Sequence, residues 1–130
     1  MMNNKIIIML SAKRCGSTAI FNLFQKHPKV KILHKNQNID NWEPQFWLYA
    51  YKALSGKIND VNQFNNRLIS TLNFKDKELY QKYDEKKIFD IFEKILIKFG
   101  PVIFDKSPQY LGLIDSIYLL KRYIQNRPNI

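Results

Sequence analysis

The stretch from Lys5 to Thr18, KIIIMLSAKRCGST, constrains the fold more than any other part of the chain. A short apolar run ends in a tight turn with basic and hydroxyl side chains, and an amphipathic segment, AIFNLFQKHP, follows at once. This order predicts a buried β-strand, an anion-binding loop and an α-helix. A helix that begins just after such a turn presents unpaired backbone N–H groups and the positive end of its dipole to an anion.

The residues of the predicted loop suit an oxyanion. Lys13 and Arg14 supply full positive charges, while Ser17 and Thr18 supply hydroxyl donors. Gly16 has no Cβ, so the backbone at that position can come close to a ligand. The loop is therefore a candidate site for a phosphate group or for a chemical relative of phosphate.

The predicted loop differs from the loop that binds nucleoside triphosphates, which needs the pattern G-x-x-x-x-G-K-[ST]. Ser11 stands at the first glycine of that pattern, and Ser17 stands at its lysine. The cations lie upstream instead, at Lys13 and Arg14. A lysine that reaches the γ-phosphate from behind the glycine is thus missing.

The shifted pattern resembles the 5′-phosphosulfate loop of the sulfotransferases, which often reads P-[RK]-S-G-[TS]-[TS]. The matching residues are Arg14, Cys15, Gly16, Ser17 and Thr18. The His27–Pro28 pair at the end of the first predicted helix also resembles that family. The resemblance implies that the loop, with Lys13 beside it, binds the co-substrate 3′-phosphoadenosine-5′-phosphosulfate (PAPS), and that no metal is needed.

Cys15 has two interpretations. A cysteine at a helix N-terminus can be a nucleophile, because that position favours the thiolate. A phosphatase of the cysteine type would need an arginine that closes the same loop several residues later, where this chain has Phe21. We therefore interpret Cys15 as a small residue in place of the family's serine.

A second segment, WEPQFW from Trp42 to Trp47, is similar to the K-E-P-x-F-F segment of the glycosaminoglycan-type sulfotransferases. The glutamate of that segment is the family's general base, which implies this role for Glu43. Trp42 stands where the family often has lysine. The other interpretation of Glu43 is a helix N-terminal carboxylate that favours the dipole, with Pro44 in the first turn. His34 is a rival base, since histidine titrates near neutral pH.

A third segment, VIFDKSPQYL from Val102 to Leu111, resembles the family's E-K-[ST]-P-x-Y segment. The resemblance implies that Lys106 is a second cation near the bridging oxygen of the donor and that Ser107 contributes to donor binding. Sulfuryl transfer needs such fixed cations and N–H donors for the same reasons as phosphoryl transfer. The alternative for Lys106 is a solvated lysine at the end of a strand.

Strand and helix patterns alternate along the chain, which predicts an α/β fold with a parallel sheet. With the resemblance, the expected architecture is a three-layer P-loop-like fold in which helices flank a short parallel sheet. The predicted strands are 5–10, 30–33 and 102–104, and the predicted helices are 17–26, 45–54, 60–72, 85–99 and 108–125. Ligands of such sheets bind at the carboxyl ends of the strands. The loop 11–18 and residues 105–107 therefore face one crevice if their strands are neighbours.

The resemblance covers most of residues 1–130 but not a whole family domain. The family binds the 3′-phosphate of its donor through a pattern like R-[DN]-P-…-S, and nothing after Lys106 fits that pattern. We expect a single sulfotransferase-like domain that corresponds to the N-terminal half of the family's domain. An active transferase and an inactive anion-binding remnant both stay open.

The amino-acid composition limits the kinds of site, the cellular location and the partners that the chain can have. The single cysteine excludes an internal disulfide and a zinc site built from several cysteines. No stretch approaches the roughly 20 apolar residues of a membrane span, so we expect a cytoplasmic protein. The net charge of +10 would suit nucleic acid, but the lysines are scattered rather than clustered. The expected partner is a small-molecule or carbohydrate acceptor, and the rivals are a degenerate magnesium-dependent nucleotide kinase and a basic nucleic-acid binder.

Overall fold

A computed structural model describes residues 4–9, 17–40, 42–107 and 114–127 of the chain. The elements in these residues are β1 (Lys5–Met9), α1 (Ser17–Gln25), β2 (Lys31–Ile32), α2 (Phe46–Ala53), α3 (Ile58–Leu72), a short 3-10 helix (Asp76–Glu78), α4 (Glu85–Phe99), β3 (Val102–Lys106) and α5 (Ile114–Gln125). No helix within these residues is both long and apolar enough to cross a lipid bilayer.

The sheet of the described residues has three strands in the order β1-β3-β2, and both pairings are parallel. The register pairs Ile7 with Phe104 and Met9 with Lys106. The last strand in sequence therefore occupies the centre, and each helical connection passes over the sheet before the chain returns. The predicted α/β class with a parallel sheet is confirmed.

Helices cover both faces of this sheet. Phe21 and Phe24 of α1 pack on Phe104, and the Phe24 and Phe104 rings are stacked with centroids 4.4 Å apart. The neighbouring Ile103 belongs to a larger apolar cluster on the opposite face, which the helices α2 to α5 supply. Successive residues of a strand point to opposite faces, so the continuous apolar runs of β1 and β3 are what a sheet buried on both sides requires.

The apolar spacing of α3 and α4 predicts their buried faces correctly. Each helix buries every residue that the 3.6-residue period assigns to its inner face. These residues are Val61, Phe64, Leu68 and Leu72 in α3, and Ile88, Ile91, Phe92, Ile95 and Phe99 in α4. Asp84 caps α4, because its side chain accepts a hydrogen bond from the Lys87 N–H.

Two boundaries differ from the prediction by two residues, and a third cannot be compared. Helix α3 begins at Ile58 rather than at the predicted residue 60. Asp60 lies in the first turn of this helix and accepts a hydrogen bond from the Ser55 hydroxyl. Strand β3 continues through Lys106, beyond the predicted end at residue 104, because its two polar residues keep pairing with β1. The predicted start of α5 at residue 108 lies outside the described residues.

Candidate functional site

The carboxyl ends of β1 and β3 lie side by side. Met9, the last residue of β1, pairs with Lys106, the last residue of β3. The predicted anion-binding loop leaves β1 at this point, and helix α1 begins at Ser17, where the loop ends. The two segments that the sequence predicts to face one crevice therefore follow neighbouring strands.

Most of the loop itself lies outside the described residues. This is true of Lys13, Arg14, Cys15 and Gly16, whose predicted roles in donor binding stay predictions. Ser17 and Thr18 form the start of α1, in the position that the motif requires of them. The N–H groups in the first turn of α1 have no carbonyl partner within the helix, which is the arrangement that anion sites at helix N-termini use.

The structure brings together the two proposed catalytic residues Glu43 and Lys106. The Lys106 Nζ lies 3.7 Å from the Glu43 Oε1, and the exposed fractions of the two side chains are 1% and 29%. Lys106 Nζ also lies 5.6 Å from the centroid of the Phe21 ring. An ammonium group out of water needs an opposite charge nearby, and the Glu43 carboxylate provides one. The alternative in which Lys106 is solvated is wrong.

The backbone explains why Glu43 can reach this edge. Helix α2 begins at Phe46, so Glu43 and Pro44 precede the helix. The alternative interpretation of Glu43 places both residues in the first turn of the helix, and the structure does not. The residue between them and the helix, Gln45, has φ 51° and ψ 32°, in the left-handed region. This conformation is uncommon for a residue with a side chain. It turns the chain sharply just before α2.

Ser107 ties the turn at Gln45 to the central strand. Its Oγ accepts a hydrogen bond of 2.9 Å from the Gln45 N–H and donates one to the Asp105 Oδ1. The Gln45 Nε2 in turn lies 3.5 Å from the Glu43 Oε2. Glu43 is thus placed between Lys106 and the Gln45 amide. Ser107 lies at the predicted site, and its contacts hold the backbone of Gln45 against the central strand. Its contact with the donor stays a prediction.

His34, the rival base, is buried just after β2. Its Nδ1 accepts a hydrogen bond of 2.9 Å from the Asn36 N–H, and its ring lies edge-on to the Trp42 ring at 4.7 Å. Burial lowers the pKa of the His34 imidazole from its usual value. These contacts give the His34 side chain a structural role in the turn 34–36. Its role as a base stays a prediction.

The stretch that follows β2 is held by glutamine side chains. Gln37 accepts a hydrogen bond from the Ile32 N–H and donates to the carbonyl oxygens of Ile32 and His34. Gln25, at the end of α1, donates to the carbonyl oxygens of residues 37 and 39. The Trp42 Nε1 donates to the Leu33 carbonyl oxygen over 2.7 Å. These hydrogen bonds fix the described residues 32–39 relative to the end of α1.

Arg67 of α3 is the main residue of this region that the sequence does not predict. Its Nη2 donates to the carbonyl oxygens of Pro44 at 2.9 Å and Glu43 at 3.3 Å. In the sequence it occupies an ordinary position beside the apolar face of α3. The available signal is its residue type, since the 21 basic residues include few arginines, namely Arg14, Arg67, Arg122 and Arg127.

Within the described residues, no group of three or more histidine, cysteine, aspartate and glutamate side chains is arranged to hold a metal ion. No family model, curated protein or solved structure matches the chain. The resemblance to the sulfotransferases therefore rests on the three sequence segments. The structure adds the proximity of the second and third segments, and the start of α1 at the end of the first.

Proposed function

We propose that this chain is a sulfotransferase-like protein that binds PAPS at the carboxyl edge of its sheet and transfers the sulfuryl group to a hydroxyl or amine acceptor. The observation that carries the proposal is the contact of 3.7 Å between Glu43 and Lys106, beside the point where β1 enters the predicted 5′-phosphosulfate loop. Two residues 63 positions apart in the chain, each assigned a catalytic role on a separate motif, meet at the edge where open α/β sheets bind ligands.

The chemistry assigns complementary roles to this pair. In the transfer, the bond between sulfur and the bridging oxygen of the donor breaks, and a bond between sulfur and the acceptor oxygen or nitrogen forms. Negative charge develops on the leaving phosphate, which Lys106 and the loop cations stabilise. The acceptor loses a proton, which the Glu43 carboxylate takes up as general base. The N–H groups at the start of α1, together with Arg14, hold the 5′-phosphate.

The P-loop-like architecture is part of this proposal. It is supported by a strand that leads directly into the predicted loop, by a helix that begins at Ser17 and by a parallel strand order in which β3 lies next to β1. One alternative, a nucleotide kinase, is less well supported. A nucleotide kinase would use Asp105 as a magnesium ligand, yet this buried carboxylate accepts the Ser107 hydroxyl.

Calorimetric titration tests the binding half of the proposal. The protein is titrated with adenosine 3′,5′-bisphosphate, with ATP and magnesium, and with duplex DNA. We expect saturable binding of the bisphosphate alone. Tighter binding of ATP with magnesium would favour the kinase, and DNA binding with a steep salt dependence would favour the nucleic-acid binder. Weak binding of all three ligands would favour the inactive anion-binding remnant.

Paired substitutions assign any binding to the loop. We expect Arg14→Ala to abolish bisphosphate binding, whereas Arg122→Ala, which removes an exposed arginine of α5, leaves it unchanged. If Arg14→Ala changes the affinity by less than twofold, about 0.4 kcal/mol, the loop assignment is wrong.

Transfer of radioactive sulfate from PAPS to a panel of alcohols, amines and saccharides tests the catalytic half. We expect Glu43→Gln to lower kcat by roughly 10²- to 10⁴-fold, the usual contribution of a general base. Glu85→Gln is the matched control, because it removes a surface carboxylate that pairs with Arg122 far along the chain. Equal activity of the two variants would remove Glu43 from the mechanism.

A further inference from the structure

The segment that carries Glu43 has no secondary structure of its own, yet it is fixed at both ends. At one end the Gln45 N–H donates to the Ser107 Oγ. At the other, a single nitrogen of Arg67, Nη2, donates to two successive carbonyl oxygens, those of Glu43 and Pro44. Carbonyl oxygens carry partial negative charge, so the charged guanidinium forms stronger hydrogen bonds with them than a neutral donor would.

Aromatic rings hold the guanidinium in place. The Arg67 Cζ lies 4.4 Å from the centroid of the Tyr49 ring and 5.3 Å from that of the Trp42 ring. Both distances lie within the range of a cation–π interaction. Within the described residues, no carboxylate forms an ion pair with Arg67, so its hydrogen bonds and ring contacts are directed at the segment around Glu43.

The cavity beside Arg67 is too small to make this arginine a ligand-binding group. Leu33, Pro44, Phe46 and Thr71 are among the residues that line it. The cavity volume is about 20 Å³, which is room for about one water molecule. A donor or acceptor molecule does not fit there, and the guanidinium is accounted for by its contacts with the protein.

We propose that Arg67 is a positioning residue that sets the Glu43 carboxylate against Lys106. By fixing the carbonyl oxygens of residues 43 and 44, it fixes the direction in which the Glu43 side chain leaves the backbone. Arginine suits this role because its planar group can lie against a ring and still donate in its own plane, which the ammonium of lysine cannot do. The catalytic meaning of this positioning rests on the function proposed above.

Amide hydrogen exchange tests the positioning without any assay of activity. The probe is the Gln45 N–H, which stays protected only while the segment holds its position against Ser107. We expect Arg67→Met and Arg67→Lys to raise its exchange rate at least about tenfold, as the loss of hydrogen bonds from a charged donor implies. Arg67→Lys keeps the charge, so it stays informative if Arg67→Met does not fold.

Two controls make this result specific. Lys52→Met removes another cation near Tyr49, whose Nζ lies 5.7 Å from the ring centroid, without touching the segment, and we expect less than a twofold change at Gln45. The Ile95 amide in the centre of α4 reports global unfolding. An unchanged rate at Gln45 in both Arg67 variants, or an equal rise at Gln45 and Ile95, would overturn the proposal.

Kinetics then test whether the positioning matters for transfer. We expect Arg67→Lys to lower kcat about tenfold, to leave the affinity for adenosine 3′,5′-bisphosphate within twofold, and to have less than a twofold effect in a Glu43→Gln background. An undiminished effect in that background would contradict action through Glu43. If the wild-type protein neither binds the bisphosphate nor transfers sulfate, the proposed function fails, and the exchange measurement still decides the positioning.

Discussion

Because it is partly buried, the ion pair between Glu43 and Lys106 should have a larger coupling free energy than an exposed ion pair of similar or shorter separation. The perturbation is a double-mutant cycle of Glu43→Gln and Lys106→Met, in which both replacements keep the approximate size of the side chain. The cycle isolates the free energy of the pair from the other contacts of each residue. It therefore measures the interaction on which the site is built.

The separation of the charges sets the magnitude. At 3.7 Å, Coulomb's law gives about 4 kcal/mol for an effective dielectric constant of about 20 and about 1 kcal/mol in bulk water. Lys106 is 1% exposed and Glu43 is 29% exposed, so the pair lies between these limits. We expect a coupling free energy of about 2 kcal/mol. We also expect Glu43→Gln alone to cost more stability than it does beside Lys106→Met, because it leaves a buried cation behind.

Urea unfolding of the four proteins measures the coupling, and a second pair provides the control. The Arg122 Nε lies 3.0 Å from the Glu85 Oε1, closer than the two charges at the site, but these side chains are 45% and 44% exposed. We expect its coupling to be less than about 1 kcal/mol. A coupling between Glu43 and Lys106 no larger than that of the exposed pair would refute the argument that burial strengthens the interaction.

Three further outcomes follow from particular residues. Burial lowers the pKa of His34 below its usual 6.5, so the unfolded state binds more protons than the folded state just below that pH. The free energy of unfolding should therefore fall as the pH drops through about 6.5. The urea midpoints at about pH 7.5 and 5.5 should differ less in His34→Phe than in the wild type. Asp84→Ala should cost about 1 kcal/mol in urea unfolding because α4 loses its cap, whereas Asp84→Asn, which can still accept the bond, should cost little. A Cβ at Gly100 would meet the Leu96 carbonyl oxygen, so thermal unfolding should show Gly100→Ala to be destabilised by about 1–3 kcal/mol.

The regular part of the fold could be predicted because periodicity reports burial. The helix-period spacing of apolar residues in α3 and α4 matches the faces that pack into the large cluster. The end of β3 could not be predicted in this way, because Asp105 and Lys106 are polar and a pattern based on hydropathy ends the strand before them. Both are nonetheless about 1% exposed. Burial of charge at a strand end is decided by tertiary contacts, which no local window contains.

Glu43 and Lys106 could be predicted as site residues from the sequence, but their arrangement could not. Glu43 and Lys106 were proposed from separate segments, and their contact depends on a strand order in which β3 lies between β1 and β2. The sequence does not predict Arg67 as a site residue, because Arg67 acts on Glu43 through backbone carbonyl oxygens. Every residue type has such an oxygen. Long-range hydrogen bonds to backbone leave no mark on the sequence of the accepting residue.

The burial of Lys106 supports a functional site by an argument that does not use the resemblance. Taking an ammonium group out of water costs several kcal/mol, and in buried ion pairs this cost can exceed the attraction between the charges. We therefore expect a methionine at the end of the central strand to serve the fold at least as well as the lysine. A charge kept there in spite of its cost, at the edge of a parallel sheet where ligands bind, is better explained by chemistry at that edge than by stability. The stability of Lys106→Met decides the point: if this variant unfolds at a urea concentration at or above that of the wild type, the lysine is retained for something other than folding.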